Sequence, residues 1–351
     1  MNFASDNNAG IAPAILDALA RANSGAAAGY GGDALTRNVE RRFCDIFECE
    51  VAVFLVPTGT AANALALAHL APPWGAVLCH AESHIVTDEC GAPEFFGGGL
   101  KLVGLAGEAG KLAPDTLKGA IARHSGHRPH LANAATLSLT QATEAGTVYS
   151  TGELAALCRI AHAHDLKVHM DGARLANALV RLGARPAEAT WKAGVAALSF
   201  GATKGGAMGA EAVVFFDPAA AADFGERRKR GGHLLSKHRF LAAQLDAFLA
   251  DDRWLSLARQ ANAMADRLAA GLAASGLAPV WPVEANLVFV LLPSALDARL
   301  KAAGASYYVR HSDSLPAGVD TGPDRVLARL VTSFATTDAE VDRFVRALRT
   351  G

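Results

Sequence analysis

From about residue 51 to residue 216, short β-branched or apolar runs alternate with amphipathic, alanine-rich stretches. Seven runs, VAVFLV, GAVLCH, LKLVGL, ATLSLT, LKVHMD, VAALSF and AEAVVFF, have the length and composition of strands. Between them, TAANALALAHLA, PDTLKGAIARH and TGELAALCRIAHAH repeat leucine and alanine at i, i+3 and i+4, the spacing of a helix with one apolar face. Such alternation predicts a mostly parallel α/β sheet flanked by helices. After about residue 236 the rhythm lengthens into KHRFLAAQLDAFLA and SLARQANAMADRLAAGLAAS, then ANLVFVLLP, VLARLVTSF and a last helix, TDAEVDRFVRALR. The division expected is a large domain with an N-terminal arm over residues 1–245 and a smaller C-terminal α/β domain over 246–351. No repeat of fixed period and no low-complexity linker interrupts the chain.

Composition narrows the function. With 351 residues, 51% of them hydrophobic, the chain can bury a large core. A formal charge of -1 provides no general field for nucleic acid or an anionic membrane, so the expected partner is a small anionic molecule caught locally. The one strongly basic run, RRKRGGHLLSKHR at 227–239, lacks the interleaved aromatics of a nucleic-acid surface. Five cysteines, odd in number and without a C-x-x-C pair, argue against a disulfide framework and a zinc ribbon, and fit a reducing cytoplasm. The opening MNFASDNNAG does not resemble a secretory signal, and no uncharged apolar stretch reaches membrane-spanning length.

Open α/β sheets bind ligands beyond the carboxyl ends of their strands, and four such ends carry chemistry. In VPTGTAANAL, Thr58, Gly59 and Thr60 open a helix whose free N–H groups suit a phosphate; simple helix capping by Thr58 or Thr60 is the competing reading. Neither a G-x-x-x-x-G-K loop nor a G-x-G-x-x-G turn is present there. In KVHMDGARLANAL, Asp171 ends a strand and Arg174 starts the next helix, with a helix cap again the plain alternative. His162, His164 and His169 beside Asp171 would straddle a helix and a strand, a poor metal set, so no metal is expected. In SFGATKGGAMGAEAVVFF, Lys204 sits in a turn whose glycines at 201, 205, 206 and 209 let a planar ligand approach the backbone, with the Thr203 hydroxyl beside it. In LCHAESHIVTDEC, His84 lies just past a strand, where imidazole can stack on a flat cofactor, and Glu89 is near enough to fix it.

A phosphate-cradling helix start, a strand-end Asp and, about thirty residues later, a Lys in a glycine-rich turn are what pyridoxal 5'-phosphate requires. The lysine forms a Schiff base with its aldehyde, the Asp keeps the pyridine nitrogen protonated, and the helix start takes the phosphate.

SDNNAG, YGGD at 30–33, TGTAAN, SHIVTDE, HMDGARLANAL, SFGATKGG and RLVTSF, in that order and over essentially the whole chain, resemble the low-specificity L-threonine aldolases of the beta-eliminating lyase/threonine aldolase family. The resemblance implies the aspartate-aminotransferase fold, that is, PLP-dependent transferase fold type I. It implies retro-aldol cleavage of L-threonine, L-allo-threonine and related β-hydroxy-α-amino acids to glycine and an aldehyde. By the same resemblance Lys204 binds the cofactor, Asp171 its ring nitrogen, His84 its face, and Thr58, Gly59 and Thr60 its phosphate. Ser5, Arg174 and Arg329 hold the substrate carboxylate, with Arg174 also beside the cofactor and Arg230 near the cofactor and Lys204. Lys204 and His84 are the implied catalytic pair, His84 taking the β-hydroxyl proton directly or through water. Many relatives carry a second histidine where this chain has Thr143, Glu144 and Ala145, a departure that bears on substrate preference. The family implies a homodimer or dimer of dimers with the site near the subunit boundary. Rival readings are a serine hydroxymethyltransferase-like enzyme, a β-eliminating lyase or aminotransferase of the same fold, and a catalytically silent cofactor-binding protein.

Overall fold

In the computed structural model, which describes residues 1–126, 129–313, 315, 316, 318, 319 and 322–349, all seven expected runs form strands of one sheet. These are β1 (Ala52–Val56), β2 (Gly75–His80), β3 (Lys101–Leu105), β4 (Asn133–Thr140), β5 (Lys167–Gly172), β6 (Ala197–Gly201) and β7 (Glu211–Phe215). Their order is β1-β7-β6-β5-β4-β2-β3, parallel from β3 through β6, with β7 and β1 antiparallel at one edge. Every residue of β2 and of β7 is buried, as strands covered on both faces must be.

Helices α1 (Pro13–Ala22) and α2 (Ala34–Phe47) precede the sheet, and the strand-helix rhythm starting at residue 51 does not announce them. Both are readable locally: Pro13 occupies a first-turn position, and the Asp33 carboxylate accepts the Thr36 N–H to cap α2. Thr36, Val39, Phe43 and Phe47 form the buried stripe of α2. Helix α3 (Gly59–Leu70) is buried at every position from Ala61 to Ala68 and crosses the middle of the sheet. Then come α4 (His84–Thr87), α5 (Ala92–Phe96), α6 (Pro114–Arg123), α7 (Thr151–His162), α8 (Leu175–Leu182), α9 (Phe224–Arg230) and α10 (Arg239–Leu249), the last packed on α1 and α2.

The remaining chain builds a second, antiparallel sheet, β8 (Leu287–Pro293), β10 (Arg325–Val331) and β9 (Tyr308–Arg310), covered by α11 (Arg253–Ala273), α12 (Ser294–Ala302) and α13 (Asp338–Arg349). Its core of Leu268, Val288, Val290, Leu330 and Phe344 is completed from the far end of the sequence by Phe3, whose ring meets Phe344 edge-on at 5.2 Å. Backbone bonds from Phe3 N–H to the Ser306 carbonyl (2.8 Å) and from Val331 N–H to the Phe3 carbonyl (2.8 Å) fasten the N-terminal segment there. Nine residues later, Ala12 N–H reaches the Gly206 carbonyl (2.9 Å), so one short segment ties the small sheet to the lysine turn. Among the described residues no helix is long and apolar enough to cross a membrane, and all five cysteines are free.

Candidate active site

The lysine turn joins β6 to β7. Its shape is set by Gly205 N–H and Ala207 N–H, which both donate to the Ala202 carbonyl (3.0 and 3.1 Å). Two of its glycines answer to the protein itself rather than to ligand approach: Gly206 has φ +125°, and a Cβ on Gly201 would lie 2.7 Å from the Ala173 backbone. Lys204 is half-buried and lines a cavity of about 180 Å³ with Gly59, Thr60, Asn63, His84, Asp171 and Glu211.

Opposite the lysine, Asp171 stands at the end of β5, 3% exposed. Its Oδ1 accepts the Ala173 N–H (3.0 Å) and its Oδ2 an amide hydrogen of Asn63 (3.0 Å). Burial would raise its pKa, but the positive charges of His84 and Lys204 and the Ala173 bond outweigh it and hold the carboxyl below its ordinary value. The other amide hydrogen of Asn63 goes to Glu89 Oε1 (2.8 Å), which also receives His84 Nδ1 at 2.8 Å. A buried chain therefore runs from Asp171 through Asn63 and Glu89 to His84. Within it, the Glu89 hydrogen bond outweighs burial and raises the pKa of His84, while burial raises that of Glu89 against the pull of its two hydrogen bonds.

The start of α3 borders the same cavity. Thr58 Oγ1 accepts the Ala61 N–H (3.1 Å), so Thr58 acts as the helix cap that the sequence allows, and it is exposed rather than lining the cavity. Gly59 and Thr60 keep their N–H groups without a partner among the described residues, and a Cβ on Gly59 would meet nothing within 4 Å. That is an open, positively polarised cradle.

The guanidinium pair behaves unequally. Arg174 is locked: its Nε and Nη2 donate to Asp6 Oδ2 (2.8 Å) and Oδ1 (3.0 Å), and Asp6 also accepts from Asn286 Nδ2 (3.0 Å). Burial raises the pKa of Asp6, yet the Arg174 and Lys204 charges and the hydrogen bonds pull it down to about 2. Arg329, 7% exposed, has no carboxylate within ion-pair distance among the described residues, only the Ala4 carbonyl at 3.4 Å. Burial, with the Arg174 charge behind it, lowers its pKa to about 10. Ser5 is half-buried next to Ala4, its Oγ accepting the Asn7 N–H (3.1 Å). Half-buried Glu144 attracts His84, Arg174 and Arg329 electrostatically and shares with Arg329 a cavity of about 90 Å³.

Because Asp6 neutralises a buried cation, Asp6→Asn should destabilise the fold by about 3–5 kcal/mol. The pair's contribution is present above the ordinary carboxylate value of 3.8 and is lost as pH falls toward about 2. Urea denaturation of wild type and variant at neutral pH, and of wild type on acidification, measures both.

Arg230 stands apart. It is exposed at the end of α9 and does not line the lysine cavity of its own chain. His169 is a satisfied core histidine, held between Ser138 Oγ (2.9 Å) and Ser199 Oγ (3.0 Å), with burial pushing its pKa down to about 4. Among the described residues no cluster of His, Cys, Asp and Glu could hold a metal. A larger surface cavity of about 800 Å³ beside Lys111, Glu153 and Trp281 gathers no comparable set of groups. Sequence reading passes over Asp6, Asn63, Glu211 and Asn286. Asp6 and Asn63 left a signal there, inside SDNNAG and TGTAAN.

A lysine, a strand-end carboxylate, an imidazole and a helix N-terminus around one cavity define an enzyme of the PLP fold type I class. The chain belongs to the beta-eliminating lyase family, whose model matches residues 2–295. It is 45% identical over 309 residues, 87% of this chain and 88% of the other, to a low specificity L-threonine aldolase of Pseudomonas aeruginosa. A second low specificity L-threonine aldolase, from a Pseudomonas strain, is 42% identical over 308 residues, again 87% and 88% of the two chains. The solved structure of a Leishmania major threonine aldolase superposes with a TM-score of 0.92 at 30% identity, covering 99% of this chain and 98% of that one. Sphingomonas wittichii serine palmitoyltransferase shares the fold alone, with a TM-score of 0.72 at 15% identity over 99% and 86% of the chains.

Proposed function

We propose that this protein cleaves L-threonine, L-allo-threonine and related β-hydroxy-α-amino acids to glycine and an aldehyde, using pyridoxal 5'-phosphate. The observation that carries the reading is the convergence of Lys204, Asp171 and His84 on one cavity, in a chain 45% identical to a low specificity L-threonine aldolase. When bound, the cofactor supplies an aldehyde that joins an amine and a ring that accepts the electrons of the broken bond.

The protein's own groups fit that role. Lys204 holds the aldehyde, ionised Asp171 keeps a proton on the ring nitrogen, and the Gly59 and Thr60 N–H groups take the phosphate. Arg329, buried and with no carboxylate at ion-pair distance among the described residues, takes the substrate carboxylate, with Ser5 beside it and Arg174 behind it, its Nε and Nη2 held by Asp6. Glu89 accepts the Nδ1 proton of His84, which leaves Nε2 without hydrogen and able to take the β-hydroxyl proton. Glu144, in the segment where many relatives carry a second histidine, biases which β-substituents are accepted.

His84 serves as a base only when neutral, so activity should rise with pH through its raised pKa. Glu89→Gln removes the largest cause of that raise. The acid limb of the kcat/KM profile should therefore move to lower pH, and the plateau should fall roughly tenfold because the ring loses its orienting carboxylate.

We also propose a homo-oligomer, a dimer or dimer of dimers, with the site at the subunit boundary. Met208, on the lysine turn, and Tyr30 are 59% and 55% exposed, and exposed Arg230, which does not line the lysine cavity of its own chain, would serve a cofactor in a second copy. Five free cysteines favour the cytoplasm. Incubation of the purified protein with L-threonine and L-allo-threonine, without folate, tests the activity. Aldehyde plus glycine is expected; ammonia with a keto acid, or a requirement for folate or a keto-acid acceptor, would overturn it.

A further inference from the structure

Glu211 opens β7 facing Gly201 of β6 and Val56 of β1, and every other residue of its strand is apolar. Its side chain is 6% exposed and lines the same cavity as Lys204. Oε2 accepts the Ala202 N–H (3.0 Å), and the Thr203 hydroxyl and N–H lie close enough to draw the carboxyl's pKa down. One side chain thus holds Ala202 and borders Thr203, the two residues that precede the lysine, and the Lys204 charge acts on it.

Resting on the reading that Lys204 binds the cofactor, we propose that Glu211 is a positioning residue for that lysine. Its carboxylate fixes the turn that carries Lys204 and supplies the buried counter-charge that helps keep the cofactor's aldehyde on the nitrogen. A neutral glutamine would keep the Ala202 bond without the cost of a buried charge, so a purely structural role gives no reason for an acid here. Burial pushes the pKa of Glu211 up to about 7, against the pull of neighbouring Thr203, of the Ala202 hydrogen bond and of Lys204. With the folded value raised from 4.5, its proton-linked stability is full below that ordinary value and is lost as pH rises through about 7. The ionised acid is retained at a cost to stability.

The test compares wild type, Glu211→Gln, Glu211→Asp and Lys204→Ala, each stripped of cofactor and titrated with pyridoxal 5'-phosphate by visible absorbance above pH 7, with melting followed in parallel. Glu211→Gln should melt no lower than wild type yet bind the cofactor at least roughly tenfold more weakly, about 1.4 kcal/mol. Cofactor binding as tight as wild type in Glu211→Gln would overturn the proposal. If Glu211→Gln also melts lower, Glu211→Asp decides: recovery of affinity with the charge supports the proposal, and affinity as poor as that of glutamine overturns it. Lys204→Ala separates the two readings, because colour like that of wild type in this variant means that the lysine assignment itself has failed.

Discussion

Lys204→Ala should yield a folded, colourless protein whose threonine cleavage is reduced by roughly 10³-fold or more, because the nucleophile that holds the cofactor is gone and no neighbour replaces it. The fold should survive the change. Lys204 is half-buried, makes no hydrogen bond or ion pair to a described residue, and sits in a turn held by backbone bonds at Ala202. Melting temperature, visible spectrum and aldehyde release on one preparation give three independent readouts. A variant that melts like wild type yet stays yellow and active would remove the lysine from the mechanism.

The second large effect belongs to Arg329. Truncating one member of a buried, hydrogen-bonded charge pair costs about 2–5 kcal/mol, so Arg329→Leu should raise KM by roughly 10²–10³-fold if its partner is the substrate carboxylate. Cofactor colour should persist, because the groups around Lys204, Asp171 and the start of α3 are untouched. Stability should move the other way. The folded pKa is lowered to about 10 from 12.5, so the charged form is disfavoured by the fold at neutral pH, and replacing a buried cation that has no ion-pair partner among the described residues with an apolar side chain should leave the melting temperature equal or higher. Steady-state kinetics and thermal melting of one variant pair check both signs. Equal loss of colour and substrate affinity would count against the assigned role.

Arg174 shows why that contrast escapes sequence reading. The two arginines are equivalent candidates in a string of letters. In space, one is neutralised by a carboxylate 168 residues away, and the other has no such partner among the described residues. Glu211 is the same lesson in reverse, since nothing in AEAVVFF sets its acid apart until the lysine turn closes over it. The glycines of that turn were legible as special, but the contact that demands Gly201 comes from the backbone after β5.

By itself, the sequence determined the seven strands, helices α3, α6 and α7 and the start of α8 between them, and it put Lys204, Asp171 and His84 at strand ends. Periodicity and strand-end chemistry are local properties that survive without coordinates. Only the tertiary structure decided that Phe3 completes the small-sheet core and so carries Asp6 to Arg174, that Arg329 is buried with no carboxylate at ion-pair distance among the described residues, and that Asn63 and Glu89 link Asp171 to His84. The physical reason is that the cost of burying a charge depends on which distant groups are brought to within about 3 Å of it, and that is a property of the packed chain.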